Sequence, residues 1–133
     1  MIDTKVIKSV LEKYVELVDA GDIDGILALY DANAVVEDPV GSDPHVGIKA
    51  IEDFYRNGLG QAEASANLIG PVRTTSANEG AMAFQVKIKM EGMKMLIDTL
   101  DVMELNDEGK VTSMKAYWSY EDNVKSTEVE QLA

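Results

Sequence analysis

Cysteine is absent from the 133 residues, histidine occurs once and proline only three times. Without cysteine the chain has no disulfide bond, no thiolate nucleophile and no cysteine-ligated metal. A single histidine, His45, also excludes a histidine-based zinc site and a Ser-His-Asp triad. His45 lies in a loop rich in Gly and Pro, where we expect it to be exposed and inert.

Positive charge is scarce as well, because 12 Lys and Arg face 24 Asp and Glu for a net charge of −12. Such a surface repels phosphate backbones and anionic membranes, so we expect neither nucleic acid nor membrane as a partner. Apolar runs are shorter than the roughly 18 residues of a membrane-spanning helix, and residues 1–8 lack a signal-peptide core. We therefore expect a soluble, cytoplasmic protein with a neutral or cationic ligand.

The length and the hydrophobic content of 46% fit one globular domain over residues 1–133, with a core large enough to contain a cavity. Apolar periodicity predicts a helix over 3–20, a short helix after Asp22 that carries Tyr30, and a third helix over 48–57. Alternation and turn residues predict strands over 34–38, 63–69, 80–90, 93–105 and 110–120, followed by a polar tail over 121–133. This order predicts an α+β domain, cone-shaped, in which three N-terminal helices pack in a curved mixed or antiparallel sheet around an apolar pocket.

Asp38 stands where the first predicted strand ends, between the apolar pair Val35-Val36 and Pro39. A carboxylate at that place can face a cavity while the strand holds its backbone, as a general base requires. It shares the face of Ala34 and Val36 if the strand is regular. An Asp before Pro also commonly caps a turn, and the local pattern leaves both interpretations open.

Asp101 lies on the apolar face of the strand over 93–105. That face carries Met93, Met95, Ile97, Thr99, Met103 and Leu105 and no lysine. Burial among such neighbours should raise the pKa of Asp101 and keep it neutral, so that it can donate a hydrogen bond. A β-bulge that turned Asp101 towards solvent is the alternative.

Three tyrosines fall on predicted inward helix faces: Tyr14, Tyr30 and Tyr55. A buried phenol needs a hydrogen-bond partner, which a backbone carbonyl or a shared hydroxyl network can supply. An ionised carboxylate, a phenol and a neutral carboxylic acid together suit proton abstraction beside a carbonyl, with the two donors holding the enolate oxygen. This chemistry needs no metal and no organic cofactor.

Seven segments carry the most specific information in the chain. They are Tyr14–Val18, Gly21–Ile23, Val36–Gly41, Phe54–Arg56, Gly70–Arg73, Ile97–Met103 and Ala116–Ser119. In this order and spacing they resemble the Δ5-3-ketosteroid isomerases of the nuclear transport factor 2-like superfamily. The resemblance covers nearly the whole chain except residues 59–67, where no distinctive match is found.

The resemblance implies a steroid Δ-isomerase with Asp38 as the catalytic base and with Tyr14 and Asp101 as the donors to the dienolate oxygen. It implies that Tyr30 and Tyr55 form a hydrogen-bonded network behind Tyr14. It implies a pocket for a small apolar ketosteroid and a homodimer joined through the outer sheet face. The implied pocket residues are Phe54, Met82, Phe84, Met114 and Trp118.

Two other classes of function remain open from the sequence. A non-catalytic ligand-binding or dimerisation module on the same fold would need no buried acid pair. A polyketide cyclase or dehydratase would require a catalytic histidine or an Asp-Arg-Asp set, and the positions of His45 and Arg73 do not suggest either.

Overall fold

A computed structural model describes residues 1–128 of the chain. It contains four helices, α1 (Thr4–Ala20), α2 (Ile23–Ala28), α3 (Ile48–Asn57) and α4 (Tyr120–Asn123), and a 3-10 turn at Leu59–Gln61. It also contains eight strands, β1 (Tyr30–Glu37), β2 (His45–Val46), β3 (Glu63–Leu68), β4 (Arg73–Thr74), β5 (Glu79–Met90), β6 (Met93–Leu105), β7 (Val111–Tyr117) and β8 (Val124–Glu128).

The eight strands form one open sheet in the order β2-β1-β7-β6-β5-β3, with β4 beside β5 and β8 beside β6. The β1–β7 pair is parallel and the other pairs are antiparallel, so the sheet is mixed. The α+β class is confirmed, and the hydrophobic core lies between the three N-terminal helices and the inner sheet face.

Helix α1 sets the position of the first functional side chain, and its ends are fixed locally. The Asp3 carboxylate accepts a hydrogen bond from the backbone N–H of Lys5, and Gly21 ends the helix with φ 66°. The side chains of Ile7, Leu11 and Tyr14 form its buried stripe. The predicted helix boundaries are therefore confirmed to within a residue or two.

Close packing between α1 and the sheet depends on Gly80 of β5. A Cβ atom built on Gly80 would lie 2.7 Å from Cγ2 of Ile7 and 2.8 Å from Cδ2 of Leu11. A side chain at this position would therefore push the helix away from the sheet that it covers.

The first strand is longer than predicted and begins at Tyr30, not at residue 34. Tyr30 pairs with Val111 of β7, and the register shifts before Val35. The Asp-Ala-Asn segment at 31–33 has no strand-like apolar pattern, which is why the sequence did not reveal this part of the strand. Tyr30 is inward-facing as predicted, but a strand carries it and not a helix. The short strands β2 and β4 were also missed, because two-residue strands are specified by their neighbours' backbone groups.

The prediction of a polar tail is wrong for residues 121–128, which contain α4 and β8. The rest of the predicted tail, residues 129–133, lies outside the described residues. Strand β7 pairs only with the second half of β6, from Leu100 to Leu105. β7 does not extend along the first half, from Met93 to Ile97, and β8 pairs with the edge that is left there. Backbone hydrogen bonding to that edge orders a segment that has no apolar pattern of its own.

Candidate active site

A cavity of about 340 Å³ opens between α1, α3 and the inner face of the sheet. Most of its lining is apolar, and its polar groups include Tyr14, Asp38, Asp101 and Thr99. A concave apolar cleft of this size with a few convergent polar groups is typical of small-molecule binding sites. The sequence-predicted acids and the first tyrosine therefore meet in one place.

Tyr14 enters the cavity from the third turn of α1 and is 4% exposed. Its hydroxyl is 2.8 Å from the hydroxyl of Tyr55 on α3, which is 2.7 Å from the hydroxyl of Tyr30 at the start of β1. The predicted hydroxyl network thus exists as a chain of three phenols. Each phenol has one proton, so if Tyr14 donates into the cavity, Tyr55 must donate to Tyr14 and Tyr30 to Tyr55.

The three phenols stay protonated over the whole physiological range. Burial raises the pKa of Tyr14 well above its usual value, and its electrostatic interactions with Tyr30 and the nearby acids act in the same direction. The pKa values of Tyr30 and Tyr55 are also raised well above normal, mainly by burial. Tyr14 is therefore a neutral hydrogen-bond donor at the cavity wall.

Asp101 lies on β6 and is only 2% exposed, so the predicted inward orientation is confirmed and the alternating burial of β6 excludes an outward bulge there. Burial raises the pKa of Asp101 well above its usual range, and the nearby Asp38 charge adds to the effect. A hydrogen bond from Thr99 acts in the opposite direction and lowers the pKa. Because the two raising effects win, Asp101 favours the neutral acid, which can donate a hydrogen bond.

Asp38 follows the last residue of β1, on the face of the fully buried Ala34 and Val36. The indole N–H of Trp118 donates a hydrogen bond of 2.7 Å to its Oδ1 atom. Burial raises the pKa of Asp38, whereas the Trp118 hydrogen bond and the nearby His45 imidazole lower it. Asp38 is consequently the more easily ionised of the two acids.

The prediction that His45 is exposed is wrong, whereas its inertness stays a prediction. His45 lies on β2 opposite Val36 of β1, is half-buried, and packs against Phe54 with ring centroids 4.5 Å apart. The Gly and Pro residues around it indicated a loop, but pairing with β1 draws the histidine inward. The imidazole lowers the pKa of Asp38, although His45 does not line the cavity.

The five sequence-predicted pocket residues divide into two groups. Phe54, Phe84 and Trp118 line the cavity. Met82 and Met114 do not, because both are completely buried in the core behind the wall. The alternation of each strand correctly predicted that both side chains face inward. Alternation fixes the face of the sheet on which a residue lies, but not its depth behind the cavity wall.

Sequence reasoning about the pocket omitted its outer part. Val86 and Ile88 of β5 and Met95, Ile97 and Thr99 of β6 line the cavity. The sequence pattern could have identified them, because they lie on the same inward strand faces as Phe84 and Asp101. Strand alternation alone would have included them.

The arrangement can remove a proton from a carbon acid and hold the resulting oxygen anion. Asp38, the more easily ionised carboxyl, is suited to the part of a base, and Tyr14 and Asp101 at the same cavity are suited to the part of neutral donors. Within residues 1–128, no three His, Asp or Glu side chains are grouped so that they could hold a metal ion. None of the helices described is long and apolar enough to cross a membrane.

Comparisons with known proteins agree with this geometry. A protein described as a steroid Δ-isomerase from Nocardioides simplex is 36% identical over 118 residues, which cover 89% of this chain and 94% of that protein. A solved structure of SalBIII, an epoxide hydrolase/cyclase-like enzyme with a role in forming a pyran ring of the polyether salinomycin, superposes with a TM-score of 0.83. It is 26% identical, and the match covers 93% of this chain and 98% of that one.

The second of these similarities supports the cone-like arrangement of helices in a curved, unclosed sheet. Residues 11–114 match the SnoaL-like domain. The match begins in the middle of α1, includes α2, α3 and strands β1 to β6, and ends within β7. The chain belongs to the SnoaL-like family of the nuclear transport factor 2-like superfamily, and a steroid Δ-isomerase is among its relatives.

Proposed function

We propose that this protein is a cofactor-free steroid Δ-isomerase that converts 3-oxo-Δ5-steroids into their conjugated 3-oxo-Δ4 isomers. The observation that carries the proposal is a cavity in which Asp38 accepts a hydrogen bond from Trp118 while Asp101 is buried as a neutral acid. Similarity to a protein described as a steroid Δ-isomerase supports the same conclusion.

In the proposed reaction the Asp38 carboxylate removes a proton from C4, between the 3-ketone and the 5,6 double bond. The electrons of the C4–H bond form a dienolate whose negative charge collects on the 3-oxygen. Asp38, now neutral, returns the proton to C6, and the double bond comes to rest between C4 and C5. The sum of the two steps moves one proton and leaves Asp38 ionised again.

The developing oxygen anion is stabilised by Tyr14 and Asp101, which are both neutral donors before the reaction begins. Donors of this kind need no reorganisation as the charge appears, and losing one typically costs 2–4 kcal/mol of transition-state stabilisation, or about 30- to 1,000-fold in rate. The apolar walls exclude water, which strengthens the donors' interaction with the anion.

The direct test is the new ultraviolet absorbance of the conjugated enone when a Δ5-3-ketosteroid is added. Asp38→Asn should abolish turnover, because the amide cannot accept the proton, and Tyr14→Phe and Asp101→Ala should each lower kcat by the factor just given. Asp98→Asn is the matched control, since Asp98 is exposed and bonded to Gln85 outside the cavity. Full turnover by Asp38→Asn would eliminate the proposed base.

A second candidate function is the opening of an epoxide by an internal hydroxyl group. It is favoured by the structural likeness to SalBIII, described as epoxide hydrolase/cyclase-like. Here Asp38 would take the proton of the attacking hydroxyl while Asp101 protonates the epoxide oxygen as its C–O bond breaks.

The two functions are separated by offering both substrates to the wild-type protein. An epoxy-alcohol that cyclises while a Δ5-3-ketosteroid is unchanged would favour ring formation. If neither reacts, tight binding of phenols that mimic the enolate, weakened by Asp101→Ala, would argue against a non-catalytic ligand-binding module, and phenol binding that Asp101→Ala leaves unchanged would favour it.

We also propose that two copies associate through the outer sheet face. Leu100 of β6 and Tyr117 of β7 are direct neighbours there, and they are 44% and 46% exposed. Apolar side chains side by side on an exposed sheet face are typical of interfaces. Leu100→Lys should convert a dimer into a monomer in analytical ultracentrifugation, and a wild-type monomer at micromolar concentration would contradict the proposal.

A further inference from the structure

Thr99 is the buried polar side chain in the cavity that the proposed reaction does not yet use. It is 9% exposed, lines the cavity, and lies two residues before Asp101 on the inward face of β6. Its hydroxyl donates a hydrogen bond of 2.9 Å to the Oδ1 atom of Asp101.

The two oxygens of Asp101 therefore differ. Within residues 1–128, Thr99 is the one side chain that bonds to this carboxyl group, and it reaches Oδ1. Oδ2 has no hydrogen-bond partner among residues 1–128, yet no buried side-chain oxygen of these residues is left unpaired. Oδ2 must accordingly be open to the cavity, on the side where a ligand oxygen would lie.

A neutral carboxyl group has one carbonyl oxygen and one hydroxyl oxygen, and a neighbouring donor decides which is which. A hydroxyl that donates to Oδ1 favours the form in which Oδ1 is the carbonyl oxygen. A carbonyl oxygen accepts the donated hydrogen bond, whereas a proton on Oδ1 would repel the donor's hydrogen. The acid proton is then carried by Oδ2.

We propose that Thr99 is a positioning residue, which keeps the Asp101 proton on Oδ2 and directs it towards the oxygen anion of the ligand. This deepens the proposed function and rests on it for the identity of that anion. The placement of the proton itself depends only on the Thr99–Asp101 contact.

The same bond makes Asp101 a better donor. A hydrogen bond to the carbonyl oxygen of an acid polarises its O–H group, so the next bond in the chain becomes stronger. Thr99 lowers the pKa of Asp101, whereas burial and the Asp38 charge raise it by more. The acid is therefore polarised without being ionised.

Within residues 1–128, three polar side chains face Asp101 from its own strand and the elements around it. They are Tyr14 from α1, Asp38 from the end of β1, and Thr99 on its own strand. Met82 of β5 and Ala116 of β7, the cross-strand neighbours of Asp101, offer no polar side-chain atom. Thr99 is thus the described side chain suited to order this carboxyl group before a ligand arrives.

The test uses Thr99→Val, which preserves the branched shape and removes the hydroxyl, and Thr99→Ser, which restores it. Thr112→Val is the matched control, because Thr112 bonds to the backbone carbonyl of Glu104, away from the cavity. The first readout is the infrared C=O band of a protonated carboxylic acid, assigned to Asp101 by its loss in Asp101→Asn.

We expect the assigned band to move to higher wavenumber in Thr99→Val, because the carbonyl loses its hydrogen bond, and to return in Thr99→Ser. In the isomerase assay, kcat should fall about threefold to tenfold in Thr99→Val with KM nearly unchanged, and Thr99→Ser should recover most of it. Thr112→Val should match the wild type in both measurements.

An unmoved band in Thr99→Val, or no acid band that disappears in Asp101→Asn, would overturn the proposed proton placement. A lower kcat without a band shift would overturn it too, since Thr99 would then act on the ligand directly. A shifted band with unchanged kcat would overturn the catalytic importance of the placement. If the wild type isomerises no steroid, the proposed function fails, but the infrared measurement still decides the position of the proton.

Discussion

The indole of Trp118 and the carboxylate of Asp38 make the contact whose removal has the most specific expected result. Trp118→Phe keeps an aromatic ring in the cavity wall and deletes the N–H that lies 2.7 Å from Oδ1 of Asp38. The bond stabilises the ionised form of Asp38 and lowers its pKa. Losing the bond must therefore raise that pKa.

The size of the effect follows from the type of hydrogen bond. A bond to a charged group contributes about 1.5–3 kcal/mol, and the lower end applies here because Asp38 and Trp118 are only half-buried. At about 1.4 kcal/mol for each factor of ten, the ionisation equilibrium of Asp38 should change about tenfold.

The assay is the pH dependence of kcat/KM, which reports the ionisation of groups in the free enzyme. Activity requires ionised Asp38, so the rate rises as pH increases through its pKa. In Trp118→Phe this acid limb should move to higher pH, and below the limb kcat/KM should be about tenfold lower than in the wild type. Above it the two should converge, because a more basic carboxylate is an equally good or better proton acceptor.

Gln85→Leu is the matched control, since the Gln85 amide donates a bond of 2.9 Å to Asp98 outside the cavity. Its acid limb should stay where it is in the wild type. An acid limb that Trp118→Phe leaves in place would refute the reasoning, and so would a uniform loss of rate at every pH, which would indicate a changed binding wall.

Three further expectations concern the supports of the site. Tyr55→Phe leaves two buried hydroxyls without their shared partner and should lower the free energy of unfolding by about 1–3 kcal/mol, measured by urea denaturation, while also reducing kcat. The folded protein binds the Asp101 proton more tightly than the unfolded chain does, so this residue's contribution to stability is complete below the ordinary Asp pKa and declines as pH rises towards the raised value. Asp101→Asn should therefore gain stability relative to the wild type as pH increases, and a constant difference between the two denaturation curves from pH 4 upwards would contradict a buried acid. Gly80→Ala should cost about 1–3 kcal/mol by overpacking α1 against β5, whereas Gly60→Ala, whose nearest contact would be 3.4 Å, should be tolerated.

Much of the candidate site could be predicted from the sequence, because strand alternation and helical periodicity are local properties. Asp101 could be assigned to the apolar face of β6 from its neighbours' identities, and burial of 98% of its surface follows from that assignment. Tyr14 was placed in the same way by the helical stripe of Ile7 and Leu11. In both cases the side chain's direction is fixed by the backbone of its own element.

The contacts that shift the pKa of Asp38 could not be predicted from the sequence, because they join distant parts of the chain. Trp118 and Asp38 are 80 residues apart, and β7 brings them together by pairing in parallel with β1. His45 reaches the site through a two-residue strand that is defined only by its partner. No local pattern records which strand ends will meet.

The sequence by itself determined the α+β class, the faces of the long strands, and which residues are proposed to carry the chemistry, since periodicity and residue type act within a few positions. Tertiary structure alone decided the depth of Met82 and Met114, the ordering of residues 121–128 on the free edge of β6, and the partners of each acid. These features depend on which elements pack together, and the ionisation of a buried carboxyl depends on what surrounds it in space.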